Sequence, residues 1–391
     1  MPAAPAASLW SAFLPLLPLM AVVFGGFFAS GMALPVVPRH AHETLGQGTL
    51  VIGIVMGAQY VAAILLGRVW SGVVTDTRGP LRAMRGGLLA LAAVGLAYAA
   101  SFAVLPDTGT SLGLLMAGRL LVGLGEAFVV TATLSWGITR LGPEHAGKVI
   151  GWVGVALFIA YGLGAPVGSW IHGRFGFGGL AVVTAVVPLL TLCFVSVLPG
   201  VVTHAVQRPP FYRVLGLVRL PGIALTLSSF GYAALTAFAA LLWLQRGWGG
   251  GAPAFTSMGL GFILARLVLG HLPDQLGGAR VAAWTMAGAA VGQALMAYTS
   301  SELLACLGAA LTGAGYGLAF QAFGVEAVRR APPESRGVAM GGYVVFQDLS
   351  MAVVAPLGGW LATLAGLGSV YVAGAVAAVA AVALAVWMQK R

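Results

Sequence analysis

The stretch RVWSGVVTDTRGPLR at residues 68–82 carries Arg68, Gly72, Asp76, Gly79 and Arg82, and the same five residues return as Arg266, Gly270, Asp274, Gly277 and Arg280. The offset, 266 minus 68, is 198 positions, close to half of the 391-residue chain. Further matches follow in the same order at an offset of 190. Gly123 and Gly125 recur as Gly313 and Gly315, and Arg140, Pro143, Glu144 and Gly147 recur as Arg330, Pro333, Glu334 and Gly337. Ala165-Pro166-Val167-Gly168-Ser169-Trp170 then recurs as Ala355-Pro356-Leu357-Gly358-Gly359-Trp360. So many ordered matches describe a duplicated chain, two halves built from one set of elements.

The composition says what those elements are. Apolar residues make up 59% of the chain and charged residues 8%, against about 25% charged in a soluble domain. Such a chain cannot coat itself with a polar surface, and its solvent is a bilayer. At about 33 residues per unit there is room for twelve helices of about 20 residues with short loops, and none for a soluble domain. Apolar runs bounded by Pro, Gly and charge give twelve spans, six per half. Among them, Lys148–His172 and Gly178–Leu198 are read as the fifth and sixth, and Val281–Thr299 as the ninth. The expected organisation is all-α: a six-helix bundle over residues 1–198, a linker over 199–219, and a second six-helix bundle over 220–391.

The net charge of +10 points to nucleic acid only if it forms a face on a soluble fold, and here it reports topology instead. With twelve spans, one side of the membrane receives Arg78, Arg82, Arg85, Arg140, Lys148, Arg208, Arg213, Arg219, Arg280, Arg329, Arg330, Arg336, Lys390 and Arg391, and the other receives Arg39, Arg174 and Arg246. Fourteen against three places both termini in the cytoplasm by the positive-inside rule. Met1 to Ser8 lacks the basic residues of a signal peptide, so the first apolar run is expected to be retained. Cys193 and Cys306 both lie in apolar runs, against a disulfide framework or a metal cluster. His40 and His42 form a His-x-His pair without further ligands, read as exposed and not as a metal site.

An even number of spans per half relates the halves by an axis along the membrane normal and leaves a cleft between them, the arrangement alternating access requires. The motifs narrow this further. Gly72-x-x-x-Asp76-x-x-Gly79-x-x-Arg82 resembles the loop signature of the major facilitator superfamily, and Arg119-x-x-x-Gly123-x-Gly125 is similar to its second motif. Gly162-x-Gly164-Ala165-Pro166-x-Gly168 resembles the glycine-proline motif of its exporters. Gln59-Tyr60, Arg68-x-x-x-Gly72, Asp76-x-x-Gly79-Pro80 and Phe346-x-Asp348-Leu349-Ser350 are similar to the bacterial arabinose-efflux-permease-like branch that includes opine-metallophore exporters. The resemblance implies the twelve-helix major facilitator fold, in the bacterial cytoplasmic membrane. It also implies that the second span packs beside the eleventh and the fifth beside the eighth.

Charges inside hydrocarbon are costly and default to function. Arg68, Arg119, Glu126, Arg266 and Asp348 are the clearest cases. Asp348 is about ten residues into its helix, ~15 Å at 1.5 Å per residue, near the middle of the bilayer. Asp348 and Glu126 are therefore the expected proton carriers, and Arg119, Arg266 and Arg68 the expected cargo contacts, with an Asp348–Arg68 structural pair as the competing reading. Position 158, the repeat counterpart of Asp348, is a phenylalanine, so Arg266 lacks a symmetric carboxylate and is left to find an anion on the cargo or to join the gate near Asp274. Gln59, Tyr60, Trp136, Tyr161, Tyr232, Gln321, Tyr343 and Gln347 are candidates for the cavity wall. Gly72, Asp76, Gly79, Arg82, Asp274 and Arg280 are read as gate residues, and Pro166 and Pro356 as sites of bending.

These residues predict a monomeric, proton-coupled exporter of a small polar, anionic or zwitterionic metabolite or drug-like compound, in contact with membrane lipid. The alternative is a proton-coupled importer of a sugar or organic acid. No Gly-x-x-x-x-Gly-Lys-Ser/Thr loop for ATP occurs, and neither a Gly-x-Ser-x-Gly elbow nor a His-Glu-x-x-His helix marks an enzyme. No cofactor, metal or nucleic-acid partner is expected.

Overall fold

The computed structural model describes residues 9–142, 145–199, 211–330 and 336–390. The first half comprises α1 (Leu9–Glu43), α2 (Thr49–Ala62), a π-helical turn (Ala63–Gly67), α3 (Arg68–Arg78), α4 (Pro80–Ala103), α5 (Thr108–Leu141) and α6 (Ala146–Ser196). The second comprises α7 (Phe211–Gln245), α8 (Ala252–Leu269), α9 (Leu272–Leu276), α10 (Gly278–Tyr298), α11 (Glu302–Arg329), α12 (Arg336–Ala365) and α13 (Leu367–Gln389).

Ten of these helical segments are long and apolar enough to cross a bilayer, with α2, the π turn and α3 forming one of them. The 51-residue α6 counts once there, yet Gly176 breaks it with φ 66° and ψ −167°, where the fifth and sixth spans were expected to meet. Helix α10, 21 residues long but diluted by Arg280, Thr285 and Gln293, completes the twelve. The linker expected over 199–219 is helical from Phe211; its residues 200–210 lie outside the described residues, as do Pro143, Glu144, Pro333 and Glu334.

Small residues set how close the helices come, as in membrane bundles generally. A side chain at Gly123 would collide with the Gln59 carbonyl of α2, and one at Gly313 with the Met258 carbonyl of α8. A Cβ at Gly125 would meet the Gly87 carbonyl at 2.9 Å, and one at Gly315 the Thr285 carbonyl at 2.6 Å. The repeated glycines therefore do the same work twice, closing α5 onto α2 and α4, and α11 onto α8 and α10. Gly79 and Gly277 match as well, with φ of 85° and 88° at equivalent turns.

Two seams join the halves. Along one, α2 meets α12: a Cβ at Gly53 would strike the Ala355 carbonyl, one at Gly57 would lie 3.1 Å from Pro356, and Thr49 donates to the Gly359 carbonyl at 2.9 Å. Along the other, α6 meets α8, where Thr256 donates to the Gly162 carbonyl at 2.8 Å. Residues 29–38 of α1 and 231–243 of α7 are buried without interruption, and α1 packs on α7. These are the ends of α1 and α7 away from the termini. On the termini side Leu14, Leu17 and Ile223 are exposed. The conformer is sealed on the side opposite the termini.

Candidate functional site

Four of the five ionised side chains expected in the bilayer interior, Arg68, Arg119, Glu126 and Asp348, lie near one another between the halves, and Arg266 lies apart. Arg68, the first residue of α3, donates through Nε to Asp348 Oδ2 at 2.7 Å, an ion pair that extends the α2–α12 seam from α3 to α12. Asp348 is buried and Arg68 keeps 28% of its side-chain surface exposed. The π turn immediately before Arg68 inserts a wider helical repeat into the second span, and such turns re-aim the residues that follow them. Gly67, its last residue, packs on Ala127 and Gly123 of α5.

Arg119 is different. It is 1% exposed, and its Nε and Nη1 have no hydrogen-bond partner among the described residues. It lines a narrow crevice together with Leu34, Met56 and Tyr60 of its own half and Ala233, Thr236, Ala237, Met351 and Ala355 of the other. Closure of α5 onto α2 at Gly123 is what brings Tyr60 and Gln59 beside Arg119; the Gln59 amide oxygen is buried and unpaired too among the described residues. Glu126, two turns further along α5, accepts from the Tyr161 hydroxyl at 3.4 Å. Arg119 and Asp348 both lie within electrostatic range of Glu126.

Arg266 bonds an amide instead of a carboxylate. Its Nη1 donates to Gln321 Oε1 at 2.6 Å, and Gln321 in turn donates to the Gly270 carbonyl at 2.8 Å. Its guanidinium lies against Gly151 of α6, 2.7 Å from where a Cβ there would be. Gln321 is thus occupied as an arginine holder within its own half.

Other expected wall residues divide. Tyr161 and Tyr232 join a central aromatic cluster. Trp136 is buried in the apolar core, and Tyr343, fully buried, donates to the Phe320 carbonyl at 2.8 Å; both pack and neither lines the crevice. Gln347 is partly exposed. Of the expected gate residues, Gly72 is buried in α3, Asp76 is partly buried, and Arg82, Asp274 and Arg280 are exposed around the two equivalent turns. Pro356 is wedged against α2, whereas Pro166 is exposed on α6, where Gly164 and Gly168 make the close approach to α1. The exposed His-x-His is corrected in part: His40 is buried and stacks on Phe177 at 3.7 Å, while His42 is exposed and bonds the Gln47 carbonyl.

Sequence reasoning missed Phe158, Phe262 and Tyr316. Phe158 stacks on Phe262 across the α6–α8 seam at 3.5 Å and 14°, and Tyr232 stacks on Tyr316 at 4.5 Å and 9°. Single aromatic residues in an apolar run carry no signal of their own. Their repeat positions do: Tyr316 is 190 positions from Glu126 and Phe158 is 190 before Asp348, so each occupies the counterpart of a charged site.

The arrangement of charged, amide and aromatic groups around one crevice suits binding and release of a solute. Comparison with known proteins agrees. The family model of the Major Facilitator Superfamily matches residues 19–253 and 221–391. An "uncharacterized MFS-type transporter" of Salmonella typhimurium is 36% identical over 374 residues, covering 96% of each chain. One of Pseudomonas aeruginosa is 36% identical over 371 residues, covering 94% of this chain and 91% of its own. In fold, the chain is similar to the nucleoside transporter NupG (TM-score 0.73, 14% identity, 96% and 99% covered) and to a D-xylose-proton symporter (TM-score 0.73, 16% identity, 95% and 97% covered). It is also similar to the human organic anion transporter MFSD10 (TM-score 0.67, 16% identity, 95% and 98% covered). A duplicated twelve-helix chain with a crevice between its halves, matched over nearly its whole length by these sequences, belongs to the major facilitator superfamily of secondary transporters.

Proposed function

We propose that the chain is a proton-coupled exporter of a small organic anion or zwitterion, working as a monomer by alternating access in the bacterial cytoplasmic membrane with both termini in the cytoplasm. The observation that carries this reading is Arg119: a buried guanidinium lining the crevice between the halves, with two N–H-bearing nitrogens unpaired among the described residues. An unmet charged donor costs several kcal/mol in hydrocarbon, and a cargo carboxylate held in a fork would meet it. In this orientation the closely packed ends of α1 and α7 lie at the periplasm, the side an exporter keeps shut while it loads from the cytoplasm.

Proton coupling falls to Asp348 and Glu126. Protonating Asp348 removes its charge from the Arg68 pair and loosens the α2–α12 seam, so the proton favours one conformation over the other. Exchange requires proton and cargo to compete, and a zwitterion supplies the competition, its ammonium taking the place of the proton at Glu126 while its carboxylate engages Arg119. The glycine-proline pattern at Gly162–Gly168 and the resemblance to efflux permeases support export.

A second reading is favoured by the nearness of Glu126 to Arg119. For a cargo with no cationic group, neutralising Glu126 strengthens anion binding at Arg119, and linkage then makes proton and anion travel together. Proteoliposomes with imposed pH gradients of either sign, tested with labelled carboxylates and amino acids, separate the two. Exchange moves cargo up the gradient against proton flow, and co-transport moves it with the protons. Counterflow insensitive to either gradient removes proton coupling altogether.

A further inference from the structure

Beside the crevice, and joined to it through Tyr60, lies a group of side chains of another chemical character. Phe27, Phe158, Tyr161, Tyr232, Phe262 and Tyr316 form one connected aromatic layer at mid-depth, each 7% exposed or less. Phe27 meets Tyr161 at 5.7 Å, Tyr161 meets Phe158 at 6.2 Å, and Phe158 meets Tyr232 at 5.9 Å. The Phe158–Phe262 stack is shared between α6 of one half and α8 of the other. Tyr60 ties this layer to the cation, because it lines the crevice with Arg119 and lies within electrostatic range of Tyr161, Tyr232 and Tyr316.

Alternating access requires the halves to part, and parting them separates Phe158 from Phe262. Each such opening exposes flat π faces and forfeits a stacking contact that is worth more than the area it buries. A planar ring entering between the faces restores that contact; a puckered aliphatic ring of equal size fills the space without restoring it. Building on the proposed anion site, we infer that the preferred cargo is an aromatic organic anion, its carboxylate on Arg119 and its ring between the aromatic side chains of the two halves.

The test uses the purified full-length chain in nanodiscs and three probes: benzoate, cyclohexanecarboxylate and benzamide. Binding is read by ligand-induced thermal shift and by isothermal titration. The expected result is half-saturation by benzoate at about one tenth of the concentration that cyclohexanecarboxylate needs, with benzamide weaker than either. In Phe158→Leu and Tyr316→Leu, which keep apolar bulk, the ratio of the two carboxylates should fall toward one while both still bind. Equal affinity of the two carboxylates in the unaltered chain, or an undiminished ratio in both variants, overturns the aromatic preference and leaves the anion reading standing. Benzamide binding as tightly as benzoate, or no response to any carboxylate, overturns the anion reading and the aromatic preference with it.

Discussion

The two seams between the halves are equivalent by duplication and differ in chemistry. On the α2–α12 seam, Arg68 meets Asp348 at 2.7 Å across the divide. On the α6–α8 seam, Arg266 occupies the matching place, but position 158 is phenylalanine, so Arg266 turns to Gln321 of its own half and Phe158 stacks on Phe262 instead. One seam carries an ion pair between two ionisable side chains, the other an aromatic stack and the Thr256–Gly162 hydrogen bond, with no carboxylate in either contact. Helices α5 and α11 repeat the lesson: both close on their neighbours through paired glycines, yet Arg119 and Glu126 face Ala309 and Tyr316 at the counterpart positions. Duplication kept the packing and let the chemistry diverge: Arg68, Arg119 and Glu126 stand in the first half and Arg266 and Asp348 in the second, while each half gives three side chains to the aromatic layer.

The sharpest way to break the comparison is to remove charge from one seam. Asp348→Asn leaves Arg68 without its partner inside the bilayer, and breaking a buried pair from one side costs about 3–5 kcal/mol. Gradient-driven transport should fall at least ~100-fold, in keeping with ~1.4 kcal/mol per decade, and thermal stability in detergent should drop. The sign with pH follows from the chemistry. With Asp348 as the proposed proton carrier, its protonation in the unaltered chain should loosen this seam, detected as faster labelling of a cysteine placed on α3; Asp348→Asn should be loose at every pH. A variant that labels slowly and still responds to acid would move the proton site elsewhere.

The converse change makes the seams alike. Phe158→Asp supplies the carboxylate that Arg266 lacks, and a double-mutant cycle with Arg266→Gln should show a favourable coupling of about 1–3 kcal/mol, with a pH dependence at the α6–α8 seam that the unaltered chain does not have. Zero coupling would mean the two seams differ in backbone geometry as well as in side chains.

The same comparison explains what the sequence made legible. Helix number, the pairing of the second span with the eleventh and the Arg68–Asp348 contact followed from apolar runs, the repeat and the family resemblance, because those are set by local composition and by one symmetry operation. The break at Gly176 was readable as a gap between two apolar runs, although a single long helix surrounds it. The π turn at Ala63–Gly67 was not, since AILLG has nothing to distinguish it from ordinary helix until Gly67 packs on α5. Nor was the difference between Trp136 or Tyr343 in the core and Tyr60 at the crevice. All three are aromatic residues on apolar helices, and which way each faces depends on the closeness of neighbours that glycine alone determines.

A smaller effect is expected on the apolar seam. Arg266 is already satisfied by Gln321 and by its position against Gly151, so Arg266→Gln should raise KM for an anionic cargo about threefold to tenfold, in the range of a partly exposed charge, with kcat nearly unchanged. Loss of transport as deep as that of Asp348→Asn would make Arg266 a direct cargo contact and the seams functionally alike after all.

The smallest change tests where the halves should be equal. Gly79 and Gly277 each end one helix and cap the next, at φ 85° with ψ 155° and φ 88° with ψ 138°, backbone conformations that only glycine adopts without strain. A Cβ at either would meet nothing within 4 Å, so substitution by alanine carries a backbone cost alone, about 1 kcal/mol at each site. Gly79→Ala and Gly277→Ala should therefore lower thermal stability by the same few degrees and add in the double variant, because the turns are far enough apart not to share a contact. The charges around them differ, with Arg78 two residues after Asp76 in one turn and Leu276 two residues after Asp274 in the other. If the gate role belongs to the charges, transport should respond more to Gly79→Ala than to Gly277→Ala even where stability does not. If both fall together, the turns are hinges of one kind, and the asymmetry of the transporter is confined to its seams and its crevice.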